Sequence, residues 1–220
     1  MKLELDHLFI CTTAGAPEVD ELLAFGLTEG TRNNHPGQGT TNRRIFFQNA
    51  MLEFLWVENE PEVRSPVIAP THLWERWQYH HSGYSPFGLC VRPERGAALP
   101  FATWAYCPPY LPPPLQIDIA AGTRPVEPLL FVIPFGGRPD TFPADRRQPL
   151  EHACGFREIT GLEMMMPRPG SLSPAVQFVH DTGLVKFRAG NEFRVDIEFD
   201  HGGQARRCNF RPYLPLCFHW

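Results

Sequence analysis

Leu3-Glu4-Leu5-Asp6-His7-Leu8-Phe9-Ile10-Cys11 and Met51-Leu52-Glu53-Phe54-Leu55-Trp56-Val57 are the two stretches that decide how this chain reads. Both alternate and both are rich in β-preferring residues, so each is expected as a strand. Period-2 alternation puts Leu3, Leu5, His7, Phe9 and Cys11 on one face of the first strand. In the other it groups Met51, Glu53, Leu55 and Val57. A histidine and a glutamate inside apolar stripes cost desolvation unless each finds a partner or a ligand.

Between these strands, Pro17 to Phe25 reads as a two-turn helix with proline at its first position and Gly26 as its stop. Acidic Glu18 and Asp20 stand near the positive end of its dipole. A turn-rich segment, Asn33 to Thr40, leads into a strand over Arg44-Ile45-Phe46-Phe47-Gln48. Residues 1–60 thus read as a strand, a helix and further strands, a βαβββ unit.

A unit opening with Leu-Asp-His-Leu-Phe-Ile and closing with Met-Leu-Glu-Phe-Leu resembles the glyoxalase-like, vicinal oxygen chelate superfamily (glyoxalase, bleomycin resistance, dioxygenase). The resemblance implies an α+β fold in which βαβββ units form a cupped, half-open barrel. It implies that His7 and Glu53 enter the cup and hold a divalent ion such as Zn, Ni, Mn or Fe, with Glu53 doubling as the catalytic base. A metal-assisted lyase, isomerase or dioxygenase is the activity it suggests. The same scaffold also serves, in antibiotic-binding resistance proteins, to sequester compounds without metal or catalysis. A plainer reading of the two residues is a His7–Glu53 hydrogen bond in a partly polar cup.

The 220 residues suffice for one large domain or two small ones, and 43% hydrophobic with 20% charged residues is ordinary for a soluble globular protein. Twenty-four prolines argue for strands, turns and ordered loops over long helices. A net charge of −4, with scattered arginines, gives no reason to expect nucleic acid. No apolar run is long enough to span a membrane and no signal peptide is visible, so a cytoplasmic protein is expected. The six cysteines form no metal-ligand spacing and read as small apolar residues.

Along the chain, 61–84 reads as a helical connector in which Leu73, Trp74 and Trp77 share a face. Trp74 is either core or a pocket wall. Residues 85–135 read as a second strand-rich unit, with strands at 87–91, 101–106, 115–120 and 129–133. The polar stretch 136–151 is the longest irregular connection and the best boundary, so 1–135 and 152–220 are the expected regions. The second region repeats the first: Ser173-Pro174 begins a helix that Gly183 stops, nine positions on, as from Pro17 to Gly26. Counting ten back from Pro174 makes Met164 the counterpart of His7. Phe193 to Asp200 is expected as a strand with Ala205 to Phe210 pairing back on it.

His35, Asn42 and Arg44 are candidates for ligand contact, joined by Trp74 and Met164. Glycines in the 35–40 loop allow close approach, and an arginine offers a fork for an oxyanion. The alternative is an ordered turn between strands. A small-molecule ligand is the expected partner. Whether the halves of the cup belong to one chain or to a homodimer is left open.

Overall fold

A computed structural model describes residues 3–94, 97–133, 135–167 and 170–220. The fold is α+β, with two mixed sheets and few helices. The chain runs β1 (Leu3–Cys11), α1 (Val19–Phe25), β2 (Asn33–His35), β3 (Thr40–Phe46) and β4 (Met51–Val57). Short helices α2 (Glu60–Val63), α3 (Leu73–Trp77) and α4 (Tyr79–Ser82) follow. Next come β5 (Phe87–Pro93), β6 (Thr103–Tyr106), β7 (Ile117–Ala120) and β8 (Leu129–Val132). After a long irregular segment the chain forms β9 (Ile159–Pro167), α5 (Pro174–Asp181), β10 (Lys186–Gly190), β11 (Arg194–Phe199), β12 (Arg207–Asn209) and β13 (Leu216–His219).

The first sheet has the order β2-β3-β4-β1-β5-β8-β7-β6 and the second β10-β9-β11-β13-β12. The eight-stranded sheet is not closed into a barrel, since β2 and β6 are its two edges. β1 pairs parallel with β4 and antiparallel with β5, and β5 pairs parallel with β8. The second sheet repeats that pattern: β9 is parallel to β10 and antiparallel to β11, and β11 is parallel to β13. It is the core of the first sheet without counterparts of β2, β3 and β6.

The expected facing of β1 is corrected by a bulge. Leu5 pairs with Val91 and His7 with Cys90, so Asp6 is an extra residue and the alternation slips there. Leu3, Leu5, Leu8 and Ile10 consequently share the core between the sheets, while Phe9 and Cys11 belong to a second cluster on the opposite face. β4 alternates without interruption, with Leu52, Phe54 and Trp56 towards the second sheet and Leu55 and Val57 away from it. One continuous apolar layer joins the inner faces of both sheets to α1 and α5. Phe199 lies in it between Phe156 (ring centroids 4.2 Å apart) and Phe47 (4.9 Å).

Other expectations are adjusted in detail. α1 begins at Val19, and the Glu18 carboxylate accepts the N–H and hydroxyl of Thr13. Gly26 ends the helix at φ 113°, its N–H donating to Leu22 and Leu23 carbonyls. Residues 33–40 form a hairpin, β2 pairing with β3 across the 36–39 turn. Ser173 precedes α5 without a side-chain cap bond. The 205–210 segment does not pair with β11: β12 pairs with β13, which lies between them. Left-handed residues at Asp200, His201 and Ala205 turn the chain out of a hairpin path. No helix among the described residues is long and apolar enough to cross a membrane.

Candidate functional site

The face of the eight-stranded sheet turned away from the second sheet carries a cavity of about 580 Å³. Its floor holds His7 and Phe9 from β1, Glu53 and Leu55 from β4, and Asn42 and Arg44 from β3. Ile117, Ile119, Leu129 and Phe131 make the opposite wall. The β2–β3 hairpin folds over one side, and Tyr110 of the proline-rich 108–114 segment faces it, its ring 4.8 Å from that of His35.

The polar groups gather on one side. Because the bulge turns both Asp6 and His7 to the cavity, the Asp6 carboxylate lies 2.7 Å from His7 Nδ1. The other ring nitrogen, Nε2, is 3.6 Å from Glu53 Oε2. Glu53 Oε1 accepts from Asn42 Nδ2 at 2.5 Å, and Asn42 Oδ1 is pinned by the Asn33 N–H. That second bond fixes the amide so that its NH₂ end meets the carboxylate. His7 and Glu53 are both buried, at 7% and 6% exposure.

Electrostatics in this corner follow from burial and pairing. Burial opposes a charge on His7, but Cys90 and Asp6 hold its pKa well above the usual imidazole range. We assign the effect to Asp6, because burial pushes the Cys90 thiol up and keeps it neutral. Burial would raise the Asp6 carboxyl; its contacts to His7 and Arg92, 2.9 Å away, bring it below the ordinary value instead. Asp6, His7 and Cys90 together form a group that could hold a metal ion. His35 is the converse case: burial lowers its pKa and favours the neutral ring, with Nδ1 2.9 Å from the Thr40 hydroxyl.

Two adjacent arginines on β3 show what the cavity asks for. Arg43, on the far face, is matched by Glu29 and Asp20 at 2.6 and 2.8 Å. Arg44 faces the cavity and donates to the backbone carbonyls of Thr31 and Arg32, with its guanidinium 5.2 Å from the Phe46 ring centre. Burial lowers its pKa, against the pull of Glu53. It is a cation beside the cavity with no carboxylate in hydrogen-bond contact among the described residues.

Of the residues singled out in the sequence, His7, His35, Asn42, Arg44 and Glu53 line one cavity. Trp74 does not: it packs behind the wall, against Trp77 and under Arg64. Its neighbour Leu73 reaches the cavity instead. Met164 is fully buried between the sheets. Its equation with His7 fails because β9 carries a bulge where β1 does: Ile159 pairs with Phe199 and Gly161 with Glu198, leaving Thr160 extra. Aligning the bulges makes Gly161 the counterpart of His7.

Residues missed in the sequence lie chiefly in the stretch expected as a boundary. Phe135, Phe142, Arg146 and Gln148 line the cavity rim. Gln148 accepts the Thr31 N–H, and His152 joins Phe46 O to the Thr28 N–H. Without periodicity such a strap carries no sequence signal beyond its own phenylalanines. Tyr106 and Gln38 were also missed; the tyrosine hydroxyl donates to Gln38 Oε1 at 2.7 Å and ties β6 to the hairpin.

No family model and no curated protein matches the chain. A crystal structure of a hypothetical protein from Staphylococcus aureus is similar over 100% of this chain and 99% of that one, with a TM-score of 0.55 and 10% sequence identity. A likeness at that identity concerns the fold alone.

Proposed function

We propose that the chain is a glyoxalase-like small-molecule protein whose curved first sheet takes a ligand with an apolar body and an oxygen-bearing end. The observation that carries this reading is the convergence of a large apolar cavity on one buried His–Glu pair, 3.6 Å apart, held from behind by Asp6 and Asn42. The apolar body would lie against Ile117, Ile119, Leu129 and Phe131, and the polar end would meet His7 and Glu53.

The residues fit half of a chelate site. His7 Nε2 and Glu53 Oε2 would supply two donors, and Asp6 on Nδ1 is the carboxylate support that metal-binding histidines commonly have. A divalent ion there would act as a Lewis acid on a ligand oxygen. Glu53, with one oxygen held by Asn42, is the group placed to take a proton from the ligand, and the apolar walls exclude water from that step. In this reading the protein is a lyase, isomerase or dioxygenase in class.

A second reading is favoured by the opposite wall. β5 and β8 present Gly88, Cys90, Leu129 and Phe131, so among the described residues no second His–carboxylate pair completes the shell. That wall suits metal-free retention of an apolar compound, a binding or sequestering role.

Metal content decides between them. Protein purified without chelators and measured by elemental mass spectrometry is expected to carry near-stoichiometric Zn, Ni, Mn or Fe, lost in both His7→Ala and Glu53→Ala. A wild type that stays metal-free after soaking in all four ions would overturn the chelate reading and leave the binding role.

A further inference from the structure

Arg76, on α3, is only 2% exposed. A buried guanidinium ordinarily faces a carboxylate, because an unmatched charge out of water is costly. Here its Nη1 donates to two neutral carbonyls, Ser85 O at 3.1 Å and Glu127 O at 2.9 Å. The Glu127 carboxylate is spent elsewhere, accepting the backbone N–H groups of Ser173 and Arg124 at 2.7 and 2.8 Å. Arg76 Nε is fully buried with no partner, and Nη2 donates to no atom of the described residues. Burial pulls the Arg76 pKa down to about 10, which still leaves the side chain charged at neutral pH.

Nη2 is the guanidinium nitrogen left to meet an oxygen of a carboxylate or phosphate, since Nε is sealed away from solvent. Arg76 lines a second cavity of about 170 Å³, together with Thr71, His72, Thr123 and Arg124. At roughly 30 Å³ per water, that volume holds a phosphate-sized ion. Thr71, Ile119 and Leu129 line both this cavity and the larger one, so the two share a wall.

We propose that this second cavity is a binding site for a small oxyanion, carboxylate or phosphate in chemistry, held by the Arg76 guanidinium among Thr71, His72, Thr123 and Arg124. The site is independent of the His7–Glu53 corner and needs no metal.

The test is calorimetric titration of the wild-type chain with inorganic phosphate, sulfate and acetate, at ionic strength fixed with chloride. One site per chain is expected for at least one anion. Arg76→Lys, which keeps the charge and loses the planar guanidinium, should weaken binding about tenfold, and Arg76→Met should abolish it. Equal binding in either folded variant, or no saturable binding by the wild type to any of the three, would overturn the proposal. Should both variants fail to fold, wild-type crystals soaked in selenate locate the ion by anomalous scattering. Selenate within hydrogen-bond reach of Arg76 upholds the site, and selenate elsewhere, or none, refutes it.

Discussion

The two sheets share five strands in the same order and directions, yet the large cavity lies on the outer face of the first. Aligned on their bulges, the cavity face of β1 (His7, Phe9, Cys11) corresponds to Gly161, Glu163 and Met165 of β9. Glu53 on β4 corresponds to Lys186 on β10, because each pairs with the equivalent residue, Phe9 or Glu163. The inward faces stay apolar in both, as Leu8 with Leu162 and Ile10 with Met164 show. The outward faces differ in character. Where β2–β3, β6 and the 135–148 strap cover the face, it is apolar with one buried polar corner. On the second sheet, where no comparable element among the described residues covers it, it carries half-exposed charges such as Glu163, Arg194 and Asp196. A sheet repeat is therefore a scaffold, and covering elements decide whether its outer face can be a site.

A large effect is expected where the faces differ sharply in packing. Gly88 pairs with Phe9 in the first sheet, and a Cβ there would come within 1.9 Å of the Phe9 ring; the counterpart pair in the second sheet is Asp196 with Glu163. Gly88→Leu should cost about 2–4 kcal/mol by overpacking, read as a lowered midpoint in urea. Somewhat comparable, but on the shared inner layer, Phe199→Ala should cost about 3–5 kcal/mol and loosen both sheets together. Unfolding in two separate steps for that variant would show that the layer does not couple them.

A smaller effect is expected from pH. His152 is 8% exposed, its Nε2 bonded to Phe46 O and its Nδ1 accepting the Thr28 N–H, and burial lowers its pKa below the usual 6.5. The unfolded chain takes up a proton near pH 6.5 that the folded chain resists, so this stability is present above that pH and is lost as pH falls towards the folded pKa. His152→Gln should flatten the fall in melting temperature on acidification, with His35 supplying a remainder of the same sign. An unchanged slope would remove the strap's histidine from the account. Smallest of all, Glu163→Ala on the uncovered face should leave the melting temperature unchanged within error, its ion pair with Arg188 being solvent-screened.

Much of this was legible in residues 1–60, because alternating strands and a glycine-stopped helix announce themselves locally. His7, Asn42 and Glu53 stood out as polar residues in apolar or turn-rich company, and the fold gathers them. The bulge at Asp6 left no trace in the pattern, since a single extra residue alters facing without altering composition. For the same reason, counting from Pro174 selected Met164, while paired registers select Gly161. Pairing of β12 with β13 and the strap's position over the cavity depend on contacts between residues far apart in the chain. Neither periodicity nor turn chemistry encodes them.

The central claim is that the covered face of the first sheet, and not its counterpart on the second, takes a small apolar-bodied ligand. Titration of the neutral fluorophore N-phenyl-1-naphthylamine against three proteins tests it most directly: wild type, Ile117→Trp and Met165→Trp, with folding checked by circular dichroism. We expect saturable binding to wild type and Met165→Trp, and its loss when Ile117→Trp fills the cavity. Binding that survives Ile117→Trp, or that vanishes only with Met165→Trp, would contradict the account.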